Sequence, residues 1–149
     1  MKKSLPAMKR WIERLLRKNE PAHLAAGRWG EQQAAAMLKA RGCTLRGQRI
    51  RIGRRDEIDI IAEFSETLVF VEVKTRRSES FGRPYSAVNR KKKKNLSRAA
   101  VAYLRKHKIR PPYIRFDVVE VIGSPGDGTP EIRHIENAFP LDPAYRLWW

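Results

Sequence analysis

The feature that most constrains the fold is a pair of apolar segments separated by only three residues. The segments "EIDIIAEF" and "LVFVEVKTR" are rich in β-branched and aromatic side chains, which predicts strands over 57–64 and 68–76. Residues 65–67 leave room only for a tight turn, so the two strands are expected to be antiparallel neighbours. With a further strand predicted over 43–52, the centre of the chain reads as a β-meander.

The second of these strands carries charge where its apolar stretch ends. Successive side chains of a strand point to opposite faces, so the valines of this segment share one face, which must meet a helix. Glu72 and Lys74 fall on the other face, which starts with Leu68 and Phe70. A carboxylate beside buried residues is costly unless it is paired or binds a metal.

Asp59 is the charged residue inside the apolar run of the preceding strand. A turn centred near Ser65 and Glu66 places Asp59 opposite Glu72, with about 5 Å between their Cβ atoms. Two carboxylates this close need a proton or a cation between them. Oxygen ligands favour a hard divalent ion, Mg²⁺ or Mn²⁺, and Lys74 would assist an attacking water.

The remaining pattern predicts a layered α/β fold. A helix is predicted over 27–42 and a second over 89–109, followed by a strand at 113–122 and an extended segment at 131–139. The order α-β-β-β-α-β predicts a central mixed sheet flanked by helices. Glu31 lies at the head of the apolar stripe of the first helix, an unusual place for an acid without a partner.

The charge balance points to a polyanionic partner. The chain has 32 Lys and Arg residues against 16 Asp and Glu residues, a formal net charge of +16. Nucleic acid is the leading candidate, ahead of a membrane surface, an acidic protein or the ribosome. Cys43 is the single cysteine, and no apolar run could span a bilayer, which favours a cytoplasmic protein without membrane association.

Basic residues cluster after Lys74 and at the start of the second predicted helix. The helix N-terminus and its lysines would together favour a phosphate, although a solvated basic run is the alternative. The predicted nucleic-acid contacts are Arg76, Arg77, Arg83, Arg90, Lys91, Lys92, Lys93 and Lys94. His107 and His134 are expected to be partly exposed, with no sign of a histidine metal site.

Asp59 followed by "EVK" resembles the D…(D/E)-x-K signature of restriction-endonuclease-like nucleases, the PD-(D/E)XK superfamily. Further segments, in order, resemble the YraN family of small bacterial endonuclease-like proteins: "GRWGEQQAA", "EIDIIA", "LVFVEVKTR", "FGRPYSAV", "YLR", "RFDVV" and "HIENAF". The resemblance implies a restriction-endonuclease-like αβββαβ core, metal ligation by Asp59 and Glu72, and a catalytic role for Lys74. Glu31 matches a third metal ligand of the related Holliday-junction resolvases. Asp56 stands where the family typically has a turn glycine.

These observations predict a divalent-metal-dependent nuclease acting on DNA, with branched or flapped structures as candidate substrates. Residues 1–26 are expected to form a basic arm with an amphipathic helix, 27–139 the nuclease domain, and 140–149 an aromatic tail. Cleavage of junctions would favour a homodimer with two sites.

Other readings remain open. The protein could be a non-catalytic nucleic-acid-binding module that keeps the fold, or an adaptor that docks through its termini. Glu31 could be a charge favoured by the helix dipole. Glu72 and Lys74 could be surface ion pairs.

Overall fold

The structure, a computed structural model, describes residues 7–18, 20–78 and 88–149. Within them lie three helices and five strands: α1 (Ala7–Lys18), α2 (Ala22–Ala40), β1 (Thr44–Ile52), β2 (Asp56–Phe64), β3 (Thr67–Arg76), α3 (Arg90–Lys106), β4 (Tyr113–Ile122) and β5 (Glu131–Phe139). From α2 to β4 the order is α-β-β-β-α-β, as the sequence predicts.

The five strands form one mixed sheet in the order β1-β2-β3-β4-β5. The pair β3–β4 is parallel because α3 carries the chain back across the sheet, and the other three pairs are antiparallel. The predicted β-meander is therefore confirmed. The last segment, expected as a short strand or an extended tail, is a nine-residue edge strand.

Helices cover both faces of the sheet. Val69 and Val71 of β3 pack with Leu38 of α2, so the valine face meets a helix as predicted. Leu68 and Phe70 point to the opposite face and pack beneath α3. Alternation along one strand thus supplies both hydrophobic layers.

Gly30 brings α2 close to the sheet. It is buried, and a Cβ at this position would overlap the hydroxyl of Thr75 on β3. Glycine is therefore required by the close helix–strand approach. The next residue along α2 is Glu31, so this contact also sets the position of the candidate ligand.

α2 begins earlier than the sequence pattern suggests. Pro21 precedes the helix and Ala22 is its first residue, so the predicted boundary after residue 26 falls inside α2. The end is as predicted, since Gly42 has a φ of +91° just beyond the helix.

The tail beyond β5 packs on the α3 side of the sheet. Leu147 and Trp148 contact the hydrophobic cluster there, and the Asp142 N–H donates to the buried hydroxyl of Ser97 at 3.0 Å. Trp148 therefore covers an apolar surface, whereas Trp149 is 42% exposed.

Asp56, which stands at the position of a turn glycine in the resembled family, lies in a strand and not in a turn. It is the first residue of β2, and its φ is not positive. Its carboxylate accepts two hydrogen bonds from Arg98 of α3, at 2.7 and 2.9 Å. A tertiary ion pair thus occupies this position, and it ties β2 to α3.

None of the helices in the described part of the chain combines the length and the apolar character that crossing a bilayer requires.

Candidate metal and nuclease site

A cleft of about 880 Å³ lies between the first half of α2, the end of β3 and the β4–β5 loop. Its lining includes all three predicted carboxylates, namely Glu31, Asp59 and Glu72. Arg76 and Arg77 line the same cleft, and Asp127 lines it from the loop. The fold therefore gathers residues that are up to about a hundred positions apart in the chain around one opening.

Asp59 lies where β2 and β3 separate. The ladder between these strands runs from Phe64↔Thr67 to Ile60↔Val71, which is the register predicted from the turn. Past the end of this ladder, the backbone N–H of Val73 donates to Oδ2 of Asp59 at 2.8 Å, where a backbone carbonyl of β2 would otherwise accept it. This hydrogen bond fixes the Asp59 carboxylate at the open end of the hairpin.

The environment of Asp59 disfavours a second negative charge. Burial and the nearby Glu72 carboxylate raise its pKa from 3.8 to about 7, and Glu31 adds to the rise. The hydrogen bond from Val73 and the charge of Lys92 act in the opposite direction. In this environment the ionised carboxylate of Asp59 is destabilised, so binding of a proton or a cation is favoured.

Glu72 is almost fully buried, with 3% of its surface exposed. Its Oε1 lies 3.1 Å from the ammonium of Lys74 and 3.2 Å from that of Lys92. Its Oε2 is also buried and has no hydrogen-bond partner within the described residues. Oε2 of Glu72, which lacks a partner, and the Asp59 carboxyl, whose pKa is raised, are both hard oxygen donors. Such a pair of donors fits Mg²⁺ or Mn²⁺.

Glu31 is held away from this pair. Its carboxylate accepts a 2.5 Å hydrogen bond from Nε of Arg49 and a longer one, 3.4 Å, from Nη2. In the described part of the chain, no group of three acidic, histidine or cysteine side chains is close enough to hold a metal together. The structure therefore brings Asp59 and Glu72 together, but it does not bring Glu31 into their ligand set.

The predicted nucleic-acid contacts divide into several environments. Arg83 lies outside the described residues. Arg90, Lys91 and Lys94 are exposed on the first turn of α3. Lys93 is half-buried, with its ammonium 5.8 Å from the centre of the Phe139 ring.

Sequence reasoning missed two contacts that basic residues make with the candidate acids. Lys92, a predicted nucleic-acid contact, also has its ammonium 3.2 Å from Oε1 of Glu72. Arg49 was not predicted at all, although it binds Glu31. No local pattern marks either contact, because each joins elements that meet only in the folded sheet.

Another buried acid, Asp117 of β4, lies away from the cleft. It is 0% exposed and accepts hydrogen bonds from Arg115 at 2.8 and 2.9 Å and from the Asn137 N–H at 3.0 Å. His134 contacts it at 2.7 Å through Nε2, while Nδ1 faces Arg41 at 2.9 Å. A guanidinium only donates, so Nδ1 accepts and Nε2 donates to Asp117.

His134 as a whole is partly exposed, as expected, but its side chain is only 2% exposed. His107 is exposed. The local sequence around His134 does not predict its partner, because Asp117 lies seventeen positions earlier, on the neighbouring strand.

Comparison with known proteins identifies the family. The model of the uncharacterised protein family UPF0102 matches residues 30–121. A UPF0102 protein of Symbiobacterium thermophilum is 47% identical over 113 residues, covering 76% of this chain and 94% of the relative. One from Syntrophomonas wolfei is 42% identical over 113 residues, with coverages of 76% and 96%. One from Phocaeicola vulgatus is 39% identical over 117 residues, with coverages of 78% and 93%.

Among solved structures, a protein of unknown function from Silicibacter pomeroyi aligns over 80% of this chain and 77% of its own. The TM-score is 0.35 and the identity is 15%. The family model matches more than half of the chain, and the relatives match across nearly their whole length. The chain therefore belongs to the UPF0102 family, the YraN family that its ordered motifs resemble.

Proposed function

We propose that this protein is a divalent-metal-dependent nuclease that hydrolyses phosphodiester bonds of DNA. The observation that carries the proposal is the pairing of the partly buried Asp59 with the buried Glu72 at the cleft. One member has a pKa raised to about 7, and the other has a buried oxygen without a hydrogen-bond partner within the described residues. A pair that is unfavourable on its own becomes favourable when a cation joins it.

Each residue of the site has a separate task. Asp59 and Glu72 would hold the ion, and the Val73 N–H fixes the orientation of Asp59. The chemistry that Mg²⁺ or Mn²⁺ supplies in such a site is stabilisation of the negative charge that develops on a phosphate. Lys74, 3.1 Å from Glu72, is placed to stabilise negative charge on an attacking water or on the phosphate itself.

The substrate would be brought in by charge. Arg76 and Arg77 line the cleft, and exposed basic side chains continue along the first turn of α3. Contacts of this kind bind the backbone of DNA without reading its bases. They support a polyanionic substrate, and branched or flapped DNA is the form to be tested first.

The test is cleavage of labelled junction, flap, single-stranded and double-stranded DNA with Mg²⁺ or Mn²⁺. Asp59→Asn and Glu72→Gln should each lower the rate at least about 100-fold, because even outer partners of a metal site contribute 10- to 100-fold. Asp127→Asn is the matched control, since Asp127 is an exposed acid in the same cleft. It should cut nearly as well as wild type.

One observation favours a second candidate, a nucleic-acid-binding module without catalysis. Two ammonium groups already contact Oε1 of Glu72, and Glu31 is bound to Arg49. Such a protein would bind DNA in a salt-sensitive way but would neither bind Mn²⁺ in calorimetry nor cut any of the four substrates. That result would overturn the nuclease proposal.

A further inference from the structure

The ammonium groups on Glu72 come from two different elements. Lys74 is on β3, two residues beyond Glu72, whereas Lys92 reaches it from the first turn of α3. Lys92, Leu96 and Ala99 share one helical face, and the last two are buried against the sheet. Packing of α3 therefore directs Lys92 at the site.

The start of α3 reinforces this placement. Asn89 caps the helix, and its side chain accepts the backbone N–H of Lys92 at 2.9 Å. The cap fixes the first turn, and so the direction in which the side chain of Lys92 leaves the helix. Lys91 and Lys94 near the same turn are exposed and, within the described residues, form no ion pair with Glu72, so they provide matched comparisons.

A divalent ion would disturb the present charge balance of this site. Asp59 and Glu72 carry at most two negative charges, and Lys74 with Lys92 carries two positive ones. A divalent ion would add two more positive charges to a buried site. Like charges at contact distance repel strongly where water is scarce. One ammonium must therefore move when the ion binds, unless a phosphate brings compensating negative charge.

Of the two lysines, Lys92 is the one whose side chain can leave Glu72 more easily. Its side chain is 39% exposed, against 28% for Lys74. It also leaves from a helix N-terminus, whose free N–H groups and dipole favour a phosphate. An entering nucleic-acid backbone would offer Lys92 a new partner at the same time as the ion neutralises Glu72.

We propose that Lys92 is an exchangeable counter-ion of Glu72, which neutralises the carboxylate in the metal-free protein and moves to a nucleic-acid phosphate when the divalent ion binds. This inference rests on the proposed function. It makes metal and nucleic acid bind cooperatively, each raising the affinity of the other by the same factor. Lys92 is thus a positioning residue that acts through Glu72.

The test is calorimetric titration of Mn²⁺ into wild type, Lys92→Gln and Lys94→Gln, with and without a cleavage-resistant phosphorothioate DNA flap. Without DNA, Lys92→Gln should bind Mn²⁺ about 10-fold more tightly than wild type, while Lys94→Gln should stay within about 2-fold. DNA should raise Mn²⁺ affinity about 10-fold in wild type and have little effect in Lys92→Gln. Lys92→Arg, which keeps the charge, should behave like wild type without DNA.

A purely structural role for Lys92 could not increase metal affinity, because damage to the fold would weaken binding. Unchanged or weaker Mn²⁺ binding by Lys92→Gln, in a wild type that binds Mn²⁺ and cuts DNA, would overturn the counter-ion role alone. A wild type that binds no Mn²⁺ would overturn the proposed function and this inference with it. Thermal unfolding of every variant in EDTA checks that each is folded.

Discussion

Two aspartates of the same sheet, Asp117 fully buried and Asp59 partly buried, have pKa values that shift in opposite directions. Burial alone would raise the pKa of both. For Asp117 the hydrogen bonds from His134, Arg115 and the Asn137 N–H outweigh burial and lower the pKa. For Asp59 the Glu72 carboxylate adds to burial, and the single bond from Val73 does not compensate, so the pKa rises to about 7.

The difference between the two aspartates comes from their partners and not from their burial. The partners therefore distinguish an acid with a structural role from a candidate functional acid. Asp117 is surrounded by donors, so its charge helps to join β4 to β5. Asp59 lies beside the Glu72 carboxylate at a cleft, so its negative charge lowers the stability of the folded protein. Perturbed groups of the second kind are typical of active sites.

Removing Asp117 should have the largest effect on stability. Asp117→Ala leaves Arg115 and His134 without their common acceptor, and breaking a buried pair typically costs about 3–5 kcal/mol. Urea denaturation in EDTA measures the free energy of unfolding. Glu136→Ala is the control, because this exposed acid lies 3.8 Å from Arg115 and should contribute less than about 1 kcal/mol. A loss equal to that of the control would remove Asp117 from its structural role.

Mn²⁺ should stabilise the protein through Asp59 and not through Asp117. At 100 times the dissociation constant, a ligand that binds only the folded state adds about 2.7 kcal/mol. Thermal unfolding with and without Mn²⁺ should show this gain in wild type and its loss in Asp59→Asn. Equal stabilisation of Asp59→Asn would place the ion elsewhere.

Asp59→Asn should make the metal-free protein more stable at pH 8, by roughly 1–3 kcal/mol, since one pKa unit is worth about 1.4 kcal/mol. The folded state holds its proton up to about pH 7, whereas the unfolded aspartate releases its proton near 3.8. The contribution of Asp59 to stability is therefore full below pH 4 and is lost as the pH rises to about 7. Wild type and variant should converge at pH 4, as measured by urea denaturation across this range. A variant that is less stable than wild type at pH 8 would contradict the repulsion between Asp59 and Glu72.

Asp56 tests an intermediate case, since it is partly buried and has one strong partner. The Arg98 hydrogen bonds lower its pKa despite the opposing effect of burial. Asp56→Ala should therefore cost about 1 kcal/mol in urea denaturation. Glu57→Ala, at an exposed neighbour 3.7 Å from Arg51, should stay within about 0.5 kcal/mol. Equal effects would show that the Arg98 pair adds nothing beyond a surface contact.

Much of the fold and the closeness of Asp59 to Glu72 could be predicted from local sequence patterns. The three-residue turn sets the register of β2 and β3, and that register brings Asp59 towards Glu72. Alternation in β3 separates the valine face from the face that carries Glu72. Both inferences depend only on residues close in sequence, where backbone geometry leaves few choices.

The rest could not be predicted, because it depends on contacts between distant elements. Glu31 lies on the expected helix, yet Arg49 of β1 holds its carboxylate aside. Lys92 is one of four consecutive lysines, and only the docking of α3 makes it different from Lys94. His134 acquires its buried role only where β5 pairs with β4.

The sequence by itself determined the order of elements, the two-sided core, the hairpin register and the family, because periodicity and turn length act over a few residues. The tertiary structure decided which charges meet. Long side chains select partners by distance and burial after the helices have packed on the sheet. That selection gives Asp117 its donors, leaves Asp59 against Glu72, and places the ammonium of Lys92 on the Glu72 carboxylate.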